Sequence, residues 1–126
     1  MIRRSQLGRV RGLGSAKTGV DHWWAQRITA VALIPLVIWF VVSVITLTSA
    51  PHASVIAWLG NPLSATLMVV LIGATFYHAQ LGLQVVIEDY VHSEGSRLAL
   101  IILVKFAAIL LGTGSVIAVL KICFAR

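Results

Sequence analysis

Three long apolar stretches decide what this chain can become. They run at about 28–48, 63–87 and 98–120 of its 126 residues. A helix needs roughly 20 apolar residues to cross a hydrocarbon core of about 30 Å, and each stretch reaches that length. No water is available in the bilayer core, so every backbone N–H and C=O must be bonded within the protein, which a helix achieves inside one segment. Composition agrees, because 11% of the residues are charged and 59% hydrophobic, against roughly 25% charged in a soluble domain. The expected fold is an all-α integral membrane protein with three transmembrane helices, part of a larger heteromeric helix bundle. The length allows one domain and no repeat is visible. Pro35, in the first third of the first stretch, is a candidate kink.

Charge sets the orientation. The net charge is +6, and six of the ten basic residues (Arg3, Arg4, Arg9, Arg11, Lys17 and Arg27) precede the first span. Basic residues beside a span hold that end on the inner side and touch anionic lipid, so the partner implied is membrane lipid and not nucleic acid. The chain then divides into residues 1–27, a basic N-terminal arm and interfacial segment on the inner side, and residues 28–126, a three-helix membrane anchor. Trp23 and Trp24, beside Arg27, read as an interfacial aromatic belt. Residues 49–62, without Lys or Arg, form an outer loop, residues 88–97 an inner loop, and the C-terminus lies outside; Lys121 and Arg126 oppose this bias but are outnumbered. The Arg-rich, acid-poor arm has the look of a mitochondrial transit peptide. An uncleaved tail is the preferred reading, with the chain in the bacterial inner (cytoplasmic) membrane and the mitochondrial inner membrane as the alternative. The first apolar stretch begins too late and runs too long for a cleaved secretory signal.

Three helices make a thin bundle. Small residues suited to close helix packing, including Ala74, Gly82, Ala108, Gly112, Gly114 and Ala118, imply partner helices from another chain. The single cysteine, Cys123, rules out an internal disulfide and a cysteine metal cluster. The sequence has no Gly-rich phosphate loop, CxxC, HExxH or GxSxG, so a complete active site in this chain alone is not expected.

The chemistry-bearing residues gather in Tyr77–His92. His78 is the only histidine well inside a span. An imidazole in hydrocarbon is costly and marks a functional site. Two readings stand: one axial ligand of a haem whose second ligand comes from another chain, or a histidine hydrogen-bonded to a neighbouring helix. Asp89 follows eleven residues later, about three helical turns on, so it shares the His78 face, with Gly82 between them and Ala74 a turn before. Such a face admits a flat ligand or another helix. Asp89 and Tyr90 lie at the inner interface, where a tyrosine hydroxyl can donate to a quinone carbonyl and a carboxylate can relay protons; the other reading is an ordinary helix end. Arg27 opens the first helix and is either a partner for a haem propionate or quinone pocket or a snorkelling topology determinant. His22 and His92 are either part of a proton path or solvated, and His52 receives no role. Gln80 and Gln84 read as interhelical hydrogen bonders, Lys105 as snorkelling to the inner surface, and Cys123 as inert.

Through these residues the chain resembles the D-type hydrophobic membrane anchors of succinate dehydrogenase (respiratory complex II). His78-x-x-x-Gly82 followed by Asp89-Tyr90 looks like that family's His-(ten residues)-Asp-Tyr signature, Arg27-Ile28-Thr29-Ala30 resembles the Arg-x-Thr-Ala opening its first helix, and the three-span layout matches. The companion membrane protein of the same enzyme, the C-type anchor, would show an Arg-His pair where this chain has Gln84-Val85. Some members carry His-Asp before the first helix; here the order is Asp21-His22, so no role is carried over to either.

The resemblance implies a membrane anchor of succinate:ubiquinone oxidoreductase, an enzyme of the tricarboxylic acid cycle and respiratory electron transport. His78 would be this chain's axial ligand to haem b, shared with the C-type anchor. Tyr90 would hydrogen-bond ubiquinone, with Asp89 beside it, and Arg27 would lie near the haem propionates and the quinone pocket. The partners implied are the C-type anchor, an iron–sulfur subunit bearing the iron–sulfur clusters and a flavoprotein subunit bearing FAD. Competing readings are the anchor of a fumarate reductase-type quinol enzyme, a homodimeric b-type cytochrome and a non-redox structural membrane subunit.

Overall fold

The computed structural model describes residues 17–125, so of the 1–27 basic arm and interfacial segment residues 1–16 lie outside the described residues, and residues 17–27 are helical. Among the described residues four helices follow one another: α1 (Lys17–Leu47), α2 (His52–Leu59), α3 (Pro62–Tyr90) and α4 (Glu94–Phe124). No strand occurs among the described residues. Helices α1, α3 and α4 have 31, 29 and 31 residues, or about 44–46 Å at 1.5 Å per residue. All three are long and apolar enough to cross a membrane, and each exceeds the roughly 30 Å hydrocarbon core. The all-α, three-span expectation holds.

The helix ends have local causes. At the start of α3 the Asn61 side chain accepts a 2.9 Å hydrogen bond from the Leu63 N–H. Pro62 follows in the first turn, where a missing N–H leaves no helical bond unmade. No glycine or proline interrupts 83–90, and α3 runs to Tyr90 before Val91 turns extended. Ser93 then caps α4 with extended backbone, and Glu94 places negative charge at the positive end of the helix dipole. Pro35 sits inside α1 without ending it.

Three boundaries differ from the sequence reading. Residues 49–62, read as a loop, contain the eight-residue α2. Residues 88–97, also read as a loop, shrink to three non-helical residues, so Asp89 and Tyr90 belong to the last turn of α3. Arg27 does not open the first helix, because α1 is already helical from Lys17. Polar flanks lower hydropathy without breaking helical hydrogen bonding, so an apolar window underestimates a helix that emerges from the bilayer.

α3 is the central helix. It packs on α4 and on α1, whereas α1 and α4 share no comparable contact. The α1/α3 pair is antiparallel, with Thr29 opposite His78 and Gln26 opposite Gly82. Across α3's other side, Phe76 covers Gly112 of α4. α2 folds back through Trp58, which stacks on Trp39 of α1 with ring centroids 5.6 Å apart. The core is thin: Leu36, Ala65, Leu71, Leu81, Ile87 and Val119 are its buried apolar residues, and Ser43 is buried with its hydroxyl donating to the Trp39 carbonyl. Much of the large apolar surface points outward, with Leu110 of α4 70% exposed. Surface of this kind needs lipid or partner helices against it.

Candidate functional site

The α1/α3 seam brings polar side chains of two helices face to face. From α1, His22, Gln26 and Thr29 recur at spacings of four and three, which puts them on one helical face. From α3, Gly82 and His78 meet them. A Cβ added at Gly82 would stand 3.7 Å from Gln26 Nε2, an ordinary contact distance, so the Gln26 amide packs beside α3 at this glycine. One turn away, Thr29 Oγ1 lies 2.9 Å from His78 Nδ1. The same hydroxyl lies 2.7 Å from the Ala25 carbonyl oxygen and 3.1 Å from that of Gln26. His78 is half-buried, two residues past the middle of α3. Its Nε2 makes no hydrogen bond among the described residues. Two further polar atoms of the seam, His22 Nε2 and Gln26 Oε1, are buried without a partner there.

Asp89 and Tyr90 are exposed at the end of α3, Tyr90 by 78%. They lie twelve residues or fewer from His78, about 18 Å along the helix for Tyr90. Neither makes a side-chain hydrogen bond among the described residues, so this chain presents them without enclosing anything around them. Arg27 faces away from the seam, its guanidinium 5.2 Å from the centroid of the Trp23 ring. By the antiparallel register Arg27 stands two residues, about 3 Å of axial rise, from the level of Thr29 and hence of His78. It is much nearer in depth to His78 than to Tyr90.

The sequence reading missed Thr29 as a partner for His78, and with it the inward face of Gln26. The signal was the His22, Gln26, Thr29 spacing, which marks a shared helical face but not what that face meets. Gln80 and Gln84 bond along their own helix, not between helices: Gln80 donates to Gln84 at 3.3 Å and Gln84 to Glu88 at 2.8 Å. Side chains four apart on a helix are neighbours, so a local partner was available at lower entropic cost. A groove of about 540 Å³ lies on the opposite side of α3, between Phe76, Gln80, Lys105, Ala108 and Gly112. None of His78, Asp89, Tyr90 or Arg27 lines it. No cluster of three or more His, Cys, Asp or Glu that could hold a metal ion occurs among the described residues. A metal held through His78 therefore needs ligands from elsewhere.

These features define a class: a small membrane-spanning subunit, with one mid-span histidine on an interhelical seam and an acid–tyrosine pair where the helix leaves the apolar layer. Comparison with known proteins makes this specific. Residues 1–112 match the family described as succinate dehydrogenase/fumarate reductase transmembrane subunit. A succinate dehydrogenase hydrophobic membrane anchor subunit of Rickettsia bellii is 35% identical over 117 residues, covering 92% of this chain and 93% of that one. A succinate dehydrogenase membrane anchor subunit of Reclinomonas americana is 31% identical over 74% of this chain and 80% of its own length. The hydrophobic membrane anchor subunit of Paracoccus denitrificans is 30% identical over 75% and 74%. No solved structure matches the chain. The chain belongs to the succinate dehydrogenase/fumarate reductase transmembrane subunit family, and within it sides with the succinate dehydrogenase membrane anchors. Such an anchor is one subunit of a larger enzyme complex.

Proposed function

We propose that this chain anchors the catalytic subunits of a succinate:ubiquinone oxidoreductase, supplies His78 as one axial ligand of a b-type haem, and lends Tyr90 and Asp89 to the site where ubiquinone is reduced. The observation that carries the reading is His78 itself. It is a mid-span imidazole engaged through Nδ1 with α1, with Nε2 unbonded among the described residues. Unbonded imidazole nitrogen at that depth is costly unless something coordinates or bonds it. The donor set fits a shared haem, since one histidine is present in the span and a second must come from the companion anchor. A bound haem of this type supplies one-electron exchange. Arg27, level with His78, fits the propionate side of such a group better than the quinone end, with the Trp23 ring holding its guanidinium.

At the end of α3, the Tyr90 hydroxyl donates to a quinone carbonyl and the Asp89 carboxylate passes protons from the inner aqueous phase. Ubiquinone takes two electrons from the partner subunits and two protons from that phase, and leaves as ubiquinol. Protons are drawn from the side on which the site sits, so the reaction need not move charge across the membrane. The high exposure of Tyr90 suits a site whose remaining walls come from partner chains.

The test is purification of the tagged chain from its own membrane in mild detergent, followed by a reduced-minus-oxidised spectrum after addition of succinate. The expected result is a b-type haem signal with co-purifying flavin and iron–sulfur subunits, lost or shifted in the His78→Ala complex. Haem without those partners would indicate a separate cytochrome, and the absence of haem and flavin would leave a structural three-span protein; either overturns the proposal.

A further inference from the structure

The hydroxyl of Thr29 has one hydrogen and three polar neighbours. Two of them, the Ala25 and Gln26 carbonyl oxygens, can only accept, and the Ala25 oxygen is 2.7 Å away. Two oxygens approach that closely only with a hydrogen between them. The Thr29 hydrogen is therefore committed to its own helix, and the hydroxyl meets His78 with a lone pair. The third neighbour, His78 Nδ1 at 2.9 Å, must bring the hydrogen for that contact. In a neutral imidazole one ring nitrogen donates and the other accepts, so a hydrogen on Nδ1 leaves the lone pair on Nε2. The alternative, Thr29 donating to Nδ1, would leave its oxygen facing the Ala25 carbonyl with no hydrogen between them.

We infer that Thr29 is the positioning residue that fixes the tautomer and ring plane of His78, so that Nε2 is the nitrogen presented for ligation. The inference rests on the reading of His78 as a haem ligand and names the residue that prepares it. It follows from α1 itself. Thr29 in a helix interior turns its hydroxyl back to the i−4 carbonyl, and that back-bond is what makes its oxygen an acceptor on the seam. The contact also makes the ring a stronger donor to a metal, since an Nδ1–H that gives its hydrogen to an acceptor raises the basicity of the other nitrogen. Loss of such an outer-shell partner typically costs about 10–100-fold in metal affinity.

The experiment compares the assembled complex carrying Thr29→Val, Thr29→Ser and His78→Ala with the unmodified one. Haem content is measured under limiting haem, along with the ferric low-spin electron paramagnetic resonance g-values and the haem midpoint potential. Thr29→Val keeps the shape of the side chain and removes only its hydroxyl, leaving the backbone ladder of α1 in place. It should lower haem affinity about 10–100-fold, move the g-values and raise the midpoint, because the ligand becomes a weaker donor. Thr29→Ser, which keeps the oxygen, should restore all three. A Thr29→Val complex identical to the unmodified one overturns the inference while leaving His78 as ligand. A Thr29→Ser complex as impaired as Thr29→Val overturns it too, since the lost methyl packing would then be the cause. A His78→Ala complex with an unchanged haem spectrum removes the reading beneath the inference.

Discussion

Tyr90→Phe separates a role in quinone chemistry from a role in the fold. Tyr90 is 78% exposed at the end of α3 and its hydroxyl bonds nothing among the described residues. Deleting that oxygen should therefore change stability by no more than about 0.5 kcal/mol, the usual range for a surface position. A neutral hydrogen bond contributes about 0.5–1.5 kcal/mol, which corresponds to a factor of roughly two to twelve in rate at about 1.4 kcal/mol per tenfold. If the hydroxyl only holds the quinone carbonyl, kcat/KM for ubiquinone should fall within that range. If it also delivers a proton, the loss should reach about 10²-fold or more. The assay runs two reactions on one preparation: succinate with a short-chain ubiquinone, and succinate with a soluble dye that accepts electrons from the catalytic subunits. Quinone turnover should drop and dye reduction should not. Equal falls in both would mean that the substitution damages assembly, and unchanged quinone turnover would remove Tyr90 from the site.

Further outcomes follow from the packing. Gly112→Leu should destabilise the complex by about 1–3 kcal/mol of overpacking, because a Cβ there already stands 3.4 Å from the Phe76 ring; a lowered thermal midpoint of the purified complex checks it. Gly114→Ala should leave the chain's own packing unharmed, since a Cβ there meets nothing within 4 Å, so any loss of co-purifying subunits would place a partner helix at that position. Asp89→Asn should slow quinone reduction more than dye reduction, with a KM effect smaller than the kcat effect if the carboxylate relays protons, as steady-state kinetics would show. Gly82→Leu should push Gln26 off α3 and lengthen the Thr29–His78 contact, which at 2.9 Å is about 0.3 Å inside the upper end of the N–H···O hydrogen-bond range; haem content of the purified complex should then fall as in Thr29→Val.

Much of this protein is legible without coordinates, because the bilayer leaves few options. Apolar length and unsatisfied backbone groups force three helices, and helical periodicity alone puts Ala74, His78, Gly82 and Asp89 on one face of α3. The boundaries were less legible. α2 hides in a stretch that reads as a loop because Pro51, Gly60 and Pro62 bracket it. Asp89 and Tyr90 look like loop residues because charge, not a helix breaker, ends the apolar run.

The order of residues thus dictates what each segment is, and which side chains share a face within it. That is local information, set by the turn of one helix and the demand of hydrocarbon for internal hydrogen bonds. Which faces meet is a matter of packing alone. Thr29 and His78 are 49 positions apart, and nothing in the spacing of either helix says that they face each other, that Gln26 rests on Gly82, or that Arg27 stands level with His78. Those facts depend on the axial register of two packed helices, and a slide of one turn, about 5.4 Å, would change every one of them while leaving each helix as it is.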